Sequence, residues 1–265
     1  MVRLLHAART DVGMIRSGNE DSFAVDLSDS RGAFMVADGM GGHAAGEVAS
    51  EMAVQIVIRE LGGVQDLQAS DAGARIGAAL KHANRSIHDR TVHETDKQGM
   101  GTTASVLLVS GSRYMIGQVG DSRVYLLRDG ALVQLTKDHS YVQEQVDLGN
   151  LTPEQARYHP YSNVITRCVG ASPDVEPDLY AGEVKPGDVF LVASDGLTGM
   201  VDDRRLQQLL MARTIPERKV QALIAEANGR GGLDNITAIV VQVEGDGDAT
   251  ERTTGEMTAV TGGHG

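Results

Sequence analysis

A single cysteine, Cys168, stands in the 265 residues, so the chain can form neither an internal disulfide nor a zinc site built from cysteines. Tryptophan is missing and aromatics make up 3% of the sequence, which leaves Val, Leu, Ile, Ala and Met to fill the interior. No run approaches the ~18 apolar residues of a membrane span, and residues 1–10 lack the long apolar stretch of a secretion signal. Basic residues are also few: 24 Lys and Arg against 36 Asp and Glu give a net charge of −12. No basic stripe exists to displace counterions from nucleic acid, and the acidity reads as a device for solubility. The expectation is a cytoplasmic monomer with no nucleic-acid and no membrane partner.

What is present is ordinary for a soluble globule with one sizeable core, 41% hydrophobic and 23% charged. Apolar patterning predicts strands over 2–9 and 22–27. Helical spacing follows at 44–61 (Val48, Met52, Ile56) and 71–93 (Ile76, Leu80, Ala83, Ile87). Short β-rich runs at 104–109, 113–119, 123–127 and 131–135, separated by Gly111-Ser112, Gly120-Asp121 and Asp129-Gly130, read as an antiparallel meander. Residues 136–160 form a polar insertion with a short helix over 140–148 and a second helix start at Thr152-Pro153. Strands at 178–183 and 189–193, helices at 202–212 and 216–228, and a strand at 235–243 complete the pattern. Beyond 243 there is little to bury, so 244–265 is expected to be a disordered tail after a domain of 1–243. Cys168, in the apolar run 165–169, reads as a small buried hydrophobe.

Acidic residues mark the strand ends. Asp38-Gly39-Met40-Gly41-Gly42-His43 follows the apolar run 33–37, and Ser194-Asp195-Gly196 follows 189–193, each placing a carboxylate where a Gly-rich turn is expected. Asn19-Glu20-Asp21 and Leu233-Asp234-Asn235 stand just ahead of strands. Hard cations such as Mg²⁺ and Mn²⁺ take carboxylate, carbonyl and water oxygens. Glu20, Asp38, Asp195 and Asp234 supply enough oxygens for two ions, provided the fold gathers the strand ends.

The ordered set Arg16, Asn19-Glu20-Asp21, Asp38-Gly39-Met40-Gly41-Gly42, Gly101-Thr102-Thr103, Gly120-Asp121-Ser122-Arg123, Ser194-Asp195-Gly196 and Asp234-Asn235 resembles the protein phosphatase 2C family, in its bacterial branch. The resemblance runs over about 2–243. It implies an α+β fold, a four-layer α-β-β-α sandwich of two antiparallel sheets flanked by helix pairs, and the strand and helix pattern agrees. It also implies a metal-dependent hydrolase of phosphoserine and phosphothreonine in proteins, using a water activated between two Mn²⁺ or Mg²⁺ ions and reversing a bacterial Ser/Thr kinase. The same site chemistry would serve small phosphate esters, and a catalytically weak member would act as a binding regulator.

Residue by residue, the resemblance makes Asp38 the carboxylate that bridges both ions. Asp195 and Asp234 complete the first, Glu20 and the Gly39 carbonyl the second, and Asp121 a weaker third. Asp21 and Thr102 would orient the ligands from outside. Arg16 would grip the phosphate, a task its planar fork suits. For the proton taken by the leaving serine or threonine oxygen, His43 is one candidate and water the other. Water is favoured because His43, at the start of a helix, has a capping or packing role open to it.

Overall fold

The computed structural model describes residues 2–28, 31–41, 45–64 and 66–245. Eleven strands and seven α-helices are found among them. A five-stranded antiparallel sheet has the order β1 (Val2–Asp11), β11 (Ile236–Gly245), β10 (Val189–Ala193), β7 (Arg123–Arg128) and β8 (Ala131–Gln134). The second sheet has the order β2 (Asp21–Ser28), β3 (Arg31–Met40), β5 (Ala104–Ser110), β6 (Arg113–Val119) and β9 (Asp178–Glu183), with the two-residue β4 (Gly101–Thr102) paired to the end of β3.

Side chains on successive strand residues point to opposite faces, so a strand buried on both sides must be apolar at nearly every position. Strand β3 is such a strand: Ala33, Met35 and Ala37 pack under helices α1 (Ala45–Leu61) and α2 (Ala72–His93), while Phe34 and Val36 face the other sheet. Strands β10 and β11 repeat the device. Leu191, Ala193, Ala238 and Val240 pack under α6 (Asp203–Met211) and α7 (Pro216–Gly229), whereas Phe190, Val192, Ile239 and Val241 join the layer between the sheets. Three apolar layers thus glue four structural ones, the expected α-β-β-α sandwich. Among the described residues no helix is long and apolar enough to cross a membrane.

Several local expectations are corrected. The four strands over 104–135 are not one meander: β5 and β6 pair within one sheet, β7 and β8 within the other, and the chain changes sheets at 120–122. Gly120, at φ +100°, makes this corner, and Thr103 stands where a Cβ would lie. The turn expected at Asp38-Gly39 is strand, because Gly39 and Met40 pair with Thr102 and Gly101 of β4. Asp195 opens a one-turn helix, α5 (Asp195–Thr198), instead of a loop. Cys168 is only partly buried, and burial pushes its thiol up, consistent with an inert group.

The insertion carries both expected helices, α3 (Tyr141–Asp147) capped by Ser140 and α4 (Pro153–Arg157) with a Thr152 and Gln155 capping box. Strand β11 continues to Gly245, two residues past the boundary drawn from composition. The expected tail beyond it lies outside the described residues.

Candidate metal centre

The register of β2 against β3 sets Asp21 directly opposite Asp38, and Glu20 precedes that pair. The backbone of Asp38 is held from the neighbouring β4 end: its N–H donates to Thr103 Oγ1 at 2.8 Å, and its carbonyl accepts from Thr103 N at 2.9 Å and Thr102 Oγ1 at 2.9 Å. Thr103 Oγ1 in turn meets Ser122 Oγ at 2.7 Å, beside Asp121. Thr102 and Thr103 therefore hold the Asp38 main chain from the β4 side.

Glycines let the backbones crowd here. A Cβ on Gly39 would lie 2.1 Å from the Gly46 carbonyl oxygen, and one on Gly46 would lie 2.8 Å from Glu20 Oε2. Helix α1 consequently presses its first turn against the Glu20 side chain. From the other sheet, Asn235 ties the site together: it accepts from Glu20 N at 2.8 Å and donates to the carbonyls of Val12 at 3.0 Å and Gly18 at 2.8 Å. Asp21 Oδ2 accepts from Ser194 Oγ at 2.8 Å and Thr237 Oγ1 at 2.6 Å.

The result is a knot of carboxylates with too little positive charge. Asp38 is pushed well above the usual carboxylate range by burial and then by Asp195, Asp21 and Asp121. Burial, followed by Asp195, does the same to Asp121, and burial raises Asp195 and Glu20. Asp21 is pushed up to about 7 by burial, against the pull of its two hydroxyl partners. Oxygens of Asp21, Asp121 and Asp195 are buried with no hydrogen-bond partner. Unpaired buried carboxylate oxygens are costly, and hard cations are the natural remedy. The donor set, all oxygen, fits Mg²⁺ or Mn²⁺. Among the described residues no three of these side chains already converge on one point.

Arg16 sits at the mouth of the cluster, its Nη2 2.8 Å from Asp234 Oδ2, and Asp234 is the largest cause of its raised pKa. Asp121 lies at the sheet-crossing corner, where a plain hairpin was one reading. His43, the candidate acid, lies outside the described residues. Sequence reasoning missed the supports of that corner. His139 grips Gly120 twice: its N–H donates to the Gly120 carbonyl at 3.0 Å and its Nδ1 accepts from Gly120 N at 3.0 Å. Its neighbour Asp138 holds Arg123, the closest approach being 2.6 Å. The only signal was polarity in the insertion. Ser194 and Thr237 were equally silent, since their partner Asp21 is 173 and 216 positions away.

Known proteins resemble the chain in sequence and in fold. The protein phosphatase 2C profile matches residues 15–227. The chain is 42% identical over 241 residues to the serine/threonine protein phosphatase PstP of Mycobacterium tuberculosis, covering 91% of this chain and 45% of that one. It thus spans about half the length of that relative. With the serine/threonine phosphatase stp of Listeria monocytogenes it shares 38% identity over 243 residues, covering 90% and 96% of the two chains. A crystal structure of the PstP catalytic domain in complex with two manganese ions superposes with a TM-score of 0.81 at 38% identity, over 92% of this chain and all of that one. The family match over most of the chain, the identity to these phosphatases and the agreement in topology leave one assignment: the chain belongs to the protein phosphatase 2C family.

Proposed function

We propose that the chain hydrolyses phosphoserine and phosphothreonine in proteins with the aid of two Mn²⁺ or Mg²⁺ ions. The observation that carries this reading is the buried carboxylate knot with unpartnered oxygens and a single guanidinium at its mouth. Asp38 would bridge the ions, with Asp195 and Asp234 on one and Glu20 with the Gly39 carbonyl on the other. Asp121 would hold a weaker third. Such ions, when bound, acidify water and neutralise the negative phosphoryl oxygens that otherwise repel a nucleophile.

The chain's own residues do the rest. Thr102 and Thr103 fix the Asp38 main chain, and Ser194 and Thr237 fix Asp21. Arg16, which pairs with Asp234, would form paired hydrogen bonds with a phosphate. No nucleophilic side chain is required, in keeping with the lack of a Cys-x5-Arg motif. Phosphorylated proteins are the substrates on this reading, which the named activities of the relatives support, and a bacterial Ser/Thr kinase would be one of them.

The test is turnover of a phosphothreonine peptide with Mn²⁺, after exhaustive chelation, and in Asp38→Ala. Activity that needs metal and vanishes in the variant is expected; full activity after chelation would refute the proposal.

A further inference from the structure

Beside Arg16 the surface carries side chains the fold does not use. Met14 is 66% exposed, Ile15 67% and Leu233 56%, and none belongs to any of the three apolar clusters. Single exposed apolar residues are unremarkable, but these share two touching loops. Met14 N donates to the Gly232 carbonyl at 2.8 Å, and a Cβ on Gly13 would lie 2.2 Å from the Asp234 carbonyl oxygen. Asn235 anchors both ends of the first loop through Val12 and Gly18, and Asn228 reaches Asp11 at 3.1 Å. The shelf is therefore held by one main-chain hydrogen bond and by the side chains of Asn235 and Asn228, and is presented as a fixed surface. Its far edge is Arg16 itself, paired to Asp234.

A phosphate held at Arg16 must arrive on a peptide whose residues advance ~3.3–3.6 Å each. The side chains flanking the phosphorylated residue then fall on the positions adjoining Arg16, which are Ile15 and Met14 in one loop and Leu233 in the other. An apolar flank gains from covering this shelf. An acidic one loses hydration on an apolar surface that adjoins the Asp234 carboxylate.

From this we infer that Met14, Ile15 and Leu233 form a specificity shelf, selecting phosphoprotein segments with an apolar residue next to the phosphoserine or phosphothreonine. The inference rests on the proposed phosphatase activity and narrows its substrates.

The test compares two phosphothreonine peptides that differ only in Leu or Asp at the flanking positions, with Mn²⁺ present. The wild-type chain is expected to favour the Leu peptide roughly tenfold in kcat/KM, the low end of what one apolar contact discriminates. In the triple variant Met14→Ser, Ile15→Ser, Leu233→Ser the ratio should fall to near one, and each single substitution should remove part of it. Using a ratio cancels any change in the chemical step common to both peptides. A wild-type ratio near one, or a ratio that survives in the triple variant, overturns the inference. So does sedimentation showing a wild-type dimer that the triple variant dissolves, because the shelf would then be covered by a second copy. Wild-type protein that turns over neither peptide nor an aryl phosphate would refute the phosphatase proposal itself, and the inference with it.

Discussion

Exchanging Asp21 for Asn should stabilise the metal-free protein, and increasingly so as pH rises. Asp21 Oδ2 takes two hydroxyl hydrogen bonds, from Ser194 and Thr237, while its Oδ1 is buried without a partner near Asp195 and Asp234. An Asn oxygen can keep both bonds, and the amide then offers donors to the surrounding acids. In the folded state the carboxyl is pushed up to about 7 from an ordinary 3.8, chiefly by burial. A raised carboxyl contributes stability that is complete below the unfolded value and is lost as pH climbs through the folded one. At ~1.4 kcal/mol per pH unit, the whole loss is about 4 kcal/mol, of which about 3 kcal/mol falls between pH 5 and pH 8. Urea unfolding in excess chelator at those two pH values reads this directly. The gain of Asp21→Asn over wild type should grow by about 3 kcal/mol from pH 5 to pH 8. In saturating Mn²⁺ the gain should shrink or reverse, since cations relieve the same repulsion. An equal gain at both pH values would refute the assignment of Asp21 as a buried acid strained by its neighbours.

His139→Ala should loosen the Gly120 corner and raise the Mn²⁺ concentration for half-maximal activity by roughly 10- to 100-fold. The same change in an Asp121→Asn background should add nothing, and an additive effect would separate His139 from Asp121. Arg16→Ala should alter stability by less than about 1 kcal/mol, because its pair with Asp234 is solvent-exposed, yet lower kcat/KM on a phosphopeptide roughly 10²-fold. An unchanged kcat/KM would leave Arg16 as a neutralising partner of Asp234 only. Gly196→Ala would put a Cβ 1.9 Å from the Asn235 carbonyl oxygen, so a loss of about 2–4 kcal/mol in chemical denaturation is expected. A change below about 0.5 kcal/mol would show that the two segments part easily.

Much of the architecture is legible in the chain because it is written in local periodicity. Apolar residues at helical spacing mark α1 and α2, and the unbroken apolar runs of β3, β10 and β11 state that both faces of those strands are covered. The acidic residues at strand ends, all hard oxygen donors, suit divalent cations, and their order points to the family. Less was legible where the rule is not local. Gly120-Asp121 reads as a hairpin turn, since a turn signal does not say which sheet its second strand will join; burial of both sheets against one another decides that, and it carries β7 across the sandwich. The pairing of Asp21 with Asp38, the hydroxyls of Ser194 and Thr237 on Asp21, the approach of Arg16 to Asp234 and the grip of His139 on Gly120 join residues up to 218 positions apart. The sequence by itself determined which elements form, which of their faces are buried and what kind of ligand the acids suit, because those follow from backbone propensity, side-chain alternation and donor chemistry. Only the tertiary structure decided which acids meet, how deeply they are buried and what holds them, because those depend on strand register and on the closing of two sheets over a common core.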